Sequence, residues 1–493
     1  MPFTGTHTVS KTELWRALPP EWCPDLSDSL RQRIQQANRK LIVFDDDPTG
    51  AQALHSAHVL TRWTPDDLIP ALTDSNPLFF IVSNTRSMSR EEAIRTNREI
   101  ATAVAHAANT CGIDFDILIR GDSTLRGHFP HERNAIQEVL QSHHHTFDGT
   151  ILCPFFLEGG RFTAFDVQWV AEGDTLIPAG QTEYAQDRTF GFTASNLGDW
   201  VAEKTSGQIK ASDVLSLSLD VIRCEGPDGV QRILSQAKNG RMIIVNAVTY
   251  RDLQVVVSGL LNAQDHGQRF LFRTAASFLK IRSGLPDREL LRHQDFGMTQ
   301  GRGGLTIVGS YIQKSTDQLQ AARDLTGVVS IELTVEKILH PAMSCEEIHR
   351  VIAAIHHALH AHQDVILFTS RNQDRAGNLD VGKQIGSALT TLVSSLTERP
   401  QYVIAKGGNT ALSVVRDGLN ARKSWAIGQI LPGVPVWRLG AESRFPDLPM
   451  VVFPGNVGQP NSLAEAIDHL RAARRHINTS AGGPRLRVGP QVT

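Results

Sequence analysis

Lys40–Ala51 reads KLIVFDDDPTGA, four apolar residues running straight into three aspartates and then Pro48, Thr49 and Gly50. A continuous apolar run as short as Leu41–Phe44 is what a central strand of a parallel sheet shows when both its faces are covered. Pro48 and Gly50 stop the strand. Ligands of open α/β sheets bind beyond the carboxyl ends of the strands, so the stretch predicts that Asp45, Asp46 and Asp47 are delivered to the mouth of a cleft. Crowded carboxylates repel one another and favour a proton, a cation or a hydroxyl donor among them. An acidic turn that merely solvates a strand end is the alternative on this stretch alone.

A chain of 493 residues exceeds one ordinary core, and about 150 residues per domain predicts two or three domains. With 41% hydrophobic and 20% charged residues the composition is that of a globular protein. A formal net charge of -2 gives no global reason to expect nucleic acid or an anionic membrane as partner. Cys23, Cys111, Cys153, Cys224 and Cys345 are scattered and lack CxxC spacing, which supports neither a disulfide framework nor a thiolate zinc site. A reducing, cytoplasmic setting is the expectation. The N-terminal residues lack the basic start and apolar core of a signal peptide, and no apolar run approaches the roughly 18 residues of a membrane span.

Outward from the key strand, short apolar runs at His58–Thr61, Leu78–Val82, Asp116–Ile119, Ile151–Pro154, Met242–Val245 and Phe270–Arg273 read as further strands, Leu78–Val82 ending in the polar turn Ser83–Ser87. Ser89 with Glu92 three residues on predicts a capping box opening a helix over Arg90–Ala108, so strands and helices alternate as a parallel sheet requires. After Asp116–Ile119 comes RGDSTLRGHFPHE (Arg120–Glu132). Its arginines suit a carboxylate or phosphate and its hydroxyls an alcohol, with a solvated loop as the plain alternative. Ile151–Pro154 is followed by PFFLEGGRFTAFD, which brings Arg161 to another strand end. His143–His145 form a run that points three ways, a solvated loop more than a metal site. Residues 170–235 read as irregular, and Ser283–Gly304 as a linker.

A second α/β unit begins at Leu305–Val308, with a helix over Ser315–Leu325, strands at Val328–Leu333 and Asp364–Ser370, and a helix over Cys345–His362 between those two strands. Gly309-Ser310 turns tightly into the first of these helices, whose start can meet a phosphate. Tyr402–Ala405 leads into KGGNTALSVV (Lys406–Val415), where glycines would let the backbone approach an anion; a plain helix start is the alternative. Gly433 and Pro435 read as turns, as does Pro454–Gly458. GNLDVGK (Gly377–Lys383) has phosphate-loop spacing, but Gln384 stands where the magnesium-binding Ser or Thr should. Residues beyond about Arg475 read as a disordered tail.

In this order DDDPTGA, RGDSTLRG, FFLEGGRFT, VGSYIQKSTDQL, KGGNTA, LPGVP and FPGNVG resemble the four-carbon acid sugar kinase family over about residues 40–470. The resemblance implies two α/β domains with largely parallel sheets and an active site in the cleft between them. It divides the chain into an N-terminal extension (1–39), a sugar-acid-binding domain (40–285), a linker (286–304), a nucleotide-binding domain (305–474) and the tail (475–493). It also implies ATP-dependent phosphorylation of the terminal hydroxyl of a tetronate or oxo-tetronate, with ATP and Mg2+ as cofactors. Carried over by motif, Asp46 and Asp47 are catalytic, with Asp47 orienting and deprotonating the hydroxyl. Arg86, Asp122, Ser123, Arg126 and Arg161 would hold the substrate, and Ser310, Gly407, Gly408, Asn409, Thr410 and Gly455 the nucleotide; no metal ligand is assigned. Pro48 stands where the family usually has a hydrophobic residue, the late segment is FPGNVG, and the N-terminal stretch is longer. Rival expectations are a non-catalytic binder of the same fold, a kinase of another small sugar acid or polyol, and a P-loop enzyme centred on Lys383. A homodimer is the default expectation for assembly.

Overall fold

The computed structural model describes residues 3–37, 39–50, 55–298, 302–310, 312–370 and 379–480. Contacts divide the chain into two compact units, Met1–Asp287 and Arg288–Thr493.

The first unit opens with β1 (Val9–Ser10) and a helix over Ser27–Gln36. Its main sheet is built from β2 (Lys40–Asp45), β3 (Ala57–Leu60), β4 (Leu78–Val82), β5 (Phe115–Arg120) and β6 (Gly149–Cys153). Three short strands follow, β7 (Arg161–Ala164), β8 (Val167–Glu172) and β9 (Thr175–Pro178). The main sheet is completed by β10 (Leu215–Leu217), β11 (Arg241–Val245) and β12 (Phe270–Thr274). Its order is β10-β11-β6-β12-β5-β2-β4-β3, every pair parallel. All six residues of β2 are buried, as its unbroken apolar run requires of a strand sandwiched between helices. Ile42 and Phe44 pack with Ile100, Ala101 and Val104 of the helix Arg90–Cys111. That helix begins at the expected capping box, Ser89 with Glu92, and ends at a left-handed Gly112.

Residues 170–235 are more ordered than their composition suggests. β1-β9-β8-β7 form a separate antiparallel sheet, and helices cover Leu197–Lys204 and Gly226–Leu234. The N-terminal stretch is part of this unit. Besides supplying β1, it lays Pro19 against Arg223, whose guanidinium donates to the Pro19 carbonyl at 2.7 Å and is paired with the buried Asp252.

The second unit contains β13 (Leu305–Val308), β14 (Val328–Leu333), β15 (Asp364–Thr369), β16 (Val403–Lys406), β17 (Lys423–Leu431), β18 (Val434–Leu439) and β19 (Pro449–Phe453). The order is β17-β18-β19-β16-β13-β15-β14, parallel except that β18 runs against both its neighbours. Pro435 lies inside β18 opposite Gln429, beside a break in register that tolerates its missing N–H. The last helix, Ser462–Ser480, continues past Arg475; residues 481–493 lie outside the described residues, as do Ala51, Gly301, Tyr311, Gly377 and Asn378.

Both sheets reverse their winding once. After β2 the chain builds β4 and β3 on one side, then crosses to β5 and continues outward. After β13 it builds β15 and β14, then crosses to β16. The switch points, β2/β5 and β13/β16, are where connections leave in opposite directions and a crevice opens beyond the strand ends.

Candidate functional site

Asp45, Asp46 and Asp47 leave the end of β2 at the first switch point, and three strand ends are tied together around them. Asp46 N–H donates to Arg120 C=O, Ser83 N–H to Asp45 C=O at 2.9 Å, and Arg86 N–H to Asp46 C=O at 3.3 Å. The turn is tight enough that a Cβ on Gly50 would fall 1.7 Å from Asp45 Oδ2, so only glycine fits there.

The three carboxylates have different surroundings. Asp45 and Asp46 are buried, whereas the Asp47 side chain is 25% exposed. Burial pushes Asp45 up to about 8, against the pull of Arg120 and with help from the charges of Asp46 and Asp47. Burial works on Asp47 in the same sense, yet Arg86, Arg120 and hydrogen bonds from Thr49 outweigh it and hold Asp47 below the usual carboxylate range. Asp45 therefore keeps its proton near neutrality while Asp47 stays ionised. The Arg86 guanidinium grips both neighbours, reaching Asp46 Oδ1 at 2.5 Å and Oδ2 at 3.1 Å and Asp47 Oδ2 at 3.1 Å. Thr49 supplies N–H and hydroxyl to Asp47 Oδ1 at 2.8 and 2.7 Å. Arg86, expected on the substrate, is thus occupied in fixing the two aspartates.

The loop after β5 closes over this group. The Cβ position of Gly127 lies 3.6 Å from Asp46 Oδ2. Asp122 is held well below its usual range because Arg86 and Arg126, with bonds from Thr124 and Arg126, overcome its burial. Arg126 Nε reaches Asp122 at 2.6 Å, and its guanidinium lies 5.2 Å from the Tyr184 ring centre. Arg161 stands 5.7 Å from the same ring, with Nη2 3.4 Å from the Tyr184 hydroxyl. Ser123 is buried, and its carbonyl accepts from Gln168 of β8 at 2.9 Å. The motif reading includes neither Arg120, Thr49 nor Tyr184 among the site residues. Arg120 and Thr49 stand within the quoted motifs, but nothing local to Tyr184 signals that it joins two arginines.

The second constellation lies at the β13/β16 switch point. Ser310 follows β13, Gly407 to Thr410 follow β16, and Gly455 follows β19. Gly407 adopts φ +110°, and a Cβ there would meet Ser310 Cβ at 3.2 Å and Thr410 Oγ1 at 3.3 Å. The Cβ position of Gly455 is 3.3 Å from Ser310 Oγ. Ser315 Oγ donates to the Gly455 carbonyl at 3.1 Å and lies 3.1 Å from Ser310 Oγ, within hydrogen-bond reach. Ser310, Gly407, Thr410 and Gly455 are therefore one cluster, with Gly408 and the exposed Asn409 opening the short helix beside it. Lys406, directly before these glycines, is fully buried. Lys383 sits on the helix Leu379–Ser394, and the glycine that begins its loop motif is outside the described residues.

Chemically, the first constellation offers an ionised, reachable carboxylate beside two guanidinium groups, which suits an anionic alcohol. The second offers hydroxyls and close-approach backbone, which suits phosphate. Among the described residues no three His, Cys, Asp or Glu side chains are grouped to hold a metal ion, and no helix is long and apolar enough to cross a membrane.

Comparison with known proteins agrees with this division. Residues 41–282 match the model of a sugar-binding N-terminal domain, and residues 305–463 that of a nucleotide-binding C-terminal domain. Haemophilus influenzae protein HI1011 is similar in fold, with TM-score 0.61 and 17% identity over 87% of this chain and 100% of that one. A Salmonella typhimurium LT2 protein provisionally described as a tRNA synthase matches with TM-score 0.65 and 16% identity over 87% and 98%. At such identities the likeness speaks to the fold alone. No curated protein matches the chain.

Proposed function

Because the chain belongs to the four-carbon acid sugar kinase family, we propose that it transfers the γ-phosphoryl group of ATP to the terminal hydroxyl of a tetronate or oxo-tetronate. On this reading residues 40–285 hold the sugar acid and 305–474 the nucleotide. The observation that carries it is Asp47, the one aspartate of its turn that is both ionised and accessible.

Thr49 fills both acceptor positions of Asp47 Oδ1 and Arg86 one of Oδ2, which leaves a lone pair on Oδ2 to accept the substrate hydroxyl. The proton of that hydroxyl passes to Asp47 Oδ as its oxygen bonds to phosphorus and the bond to the departing ADP oxygen breaks. A carboxylate held below its normal range is a weak base, which suffices because phosphoryl transfer asks chiefly for positioning and charge neutralisation. Arg126 and Arg161 would bind the substrate carboxylate, and Asp122 and Ser123 line the same loop. Ser310, Gly407, Gly408, Asn409, Thr410 and Gly455 would receive the phosphates. Magnesium commonly binds through phosphates, water and few protein oxygens, and the Ser310 and Thr410 hydroxyls are compatible with such a sphere. When bound it would neutralise phosphate charge.

The test is ATP consumption by the purified protein with magnesium across four-carbon acids, longer sugar acids and the matching neutral polyols. Turnover with an acid and none with its neutral analogue supports the reading. ATP binding without turnover on any acid or polyol would favour a non-catalytic binder.

A further inference from the structure

The deepest charge in the second constellation has no carboxylate partner. Lys406 is the last residue of β16, its side chain is 0% exposed, and its ammonium lies 4.1 Å from the Phe453 ring centre. Its Nζ donates to the carbonyls of Pro454 at 2.6 Å and Gly455 at 3.2 Å. Burying a cation against carbonyls alone is costly, since their dipoles replace only part of its hydration.

Those two bonds also have a directional consequence. In a trans peptide the C=O and N–H point opposite ways. With the Pro454 and Gly455 carbonyls turned inward to Nζ, the N–H groups of Gly455 and Asn456 are turned outward. Among the described residues neither N–H is bonded to another group. Two successive free N–H groups beside Ser310 and Gly407 form a concavity that suits an anion.

We propose that Lys406 is a positioning residue for nucleotide phosphate: it orients the Gly455 and Asn456 N–H groups toward the anion, and the anion in turn completes the charge of its ammonium. The inference rests on the nucleotide-binding reading of this unit. Burial holds Lys406 down to about 7, with the Lys314 ammonium adding to the effect. Lys314, from the helix Gln313–Arg323, donates to the Asn456 carbonyl at 3.4 Å and is the charged group bearing on Lys406. A neutral amine still has two N–H donors for the two carbonyls, so the turn keeps its shape before the ligand arrives. An arriving phosphate favours the charged form, so binding takes up a proton.

Calorimetry of magnesium-ADP binding at pH 8 in buffers of different ionisation heat reads this directly, because the nucleotide itself no longer titrates there. The native protein is expected to take up about 0.5–0.9 proton per ADP. Lys406→Met should take up none and bind about 10–100-fold more weakly, with Lys406→Arg recovering part of the affinity. Binding by the native protein without proton uptake overturns the proposal whatever the variants do. So does Lys406→Met affinity within about twofold of native. If the native protein binds no nucleotide, the reading beneath the proposal falls, a result distinct from either.

Discussion

Three adjacent aspartates with one sequence context acquire different jobs through burial and hydrogen bonding. Asp47 is predicted to be indispensable to turnover: Asp47→Asn keeps the side-chain shape and loses the acceptor charge. Its kcat should fall by about 10²–10⁴, with ATP affinity by calorimetry unchanged; retained turnover would remove Asp47 from the base position. Asp45 makes a prediction about stability. Its folded-state value of about 8 lies above the 3.8 of an ordinary aspartate, so the folded chain holds a proton that the unfolded chain releases. That contribution is present below about pH 4 and is lost as pH rises toward 8, at no more than about 1.4 kcal/mol per pH unit. Denaturant titrations of the native protein and Asp45→Asn should therefore diverge with pH, the native chain losing stability relative to the variant from pH 5 to 8. Parallel curves would place Asp45 ionised in the fold.

Each constellation is assembled by elements ending side by side, which is why part of it can be read in the sequence. β2, β4, β13 and β15 were recognisable because their apolar runs are continuous, and the polar residues after β2 and β13 fall at the switch points. The small antiparallel sheet was not, because β7 (RFTA), β8 (VQWVAE) and β9 (TLIP) carry no run of four apolar residues and are separated by turn-forming residues. β18 was hidden by Pro435, which reads as a turn until its register break is seen. Tyr184 stands between Arg126 and Arg161 through tertiary packing, which no local pattern encodes. Lys406 reads as the polar end of a strand, and its burial beneath Pro454 and Gly455 is visible only in three dimensions. The join between β16 and the helix Gly408–Leu412 carries its own prediction. At φ +110° and 3.2 Å from Ser310 Cβ, Gly407→Ala should cost about 1–3 kcal/mol of stability. It should weaken nucleotide binding while sugar-acid binding stays the same. Chemical denaturation and calorimetry would measure both, and full nucleotide affinity in the variant would remove Gly407 from the phosphate site.

At the scale of the whole molecule, each unit has a sheet that reverses once, and each reversal marks a candidate ligand crevice within its own unit. Each unit has its own buried framework. In the first, Arg223 and Asp252 tie the N-terminal stretch to the sheet-covering helices; in the second, Arg471 pairs with the buried Asp364 at 2.6 Å beneath β15. Neither pair includes a residue of the two constellations. A ligand that binds one crevice should then protect that crevice's backbone from hydrogen exchange, since local opening is suppressed where contacts form. Magnesium-ADP is predicted to slow exchange at residues 306–310, 407–411 and 454–458, and a substrate sugar acid at residues 45–50, 120–127 and 159–161. Protection of the aspartate turn by ADP alone, with residues 407–411 unchanged, would reverse the assignment of the two units. The matched pattern would instead establish that each crevice receives its own ligand, the division of labour that the proposed phosphoryl transfer requires.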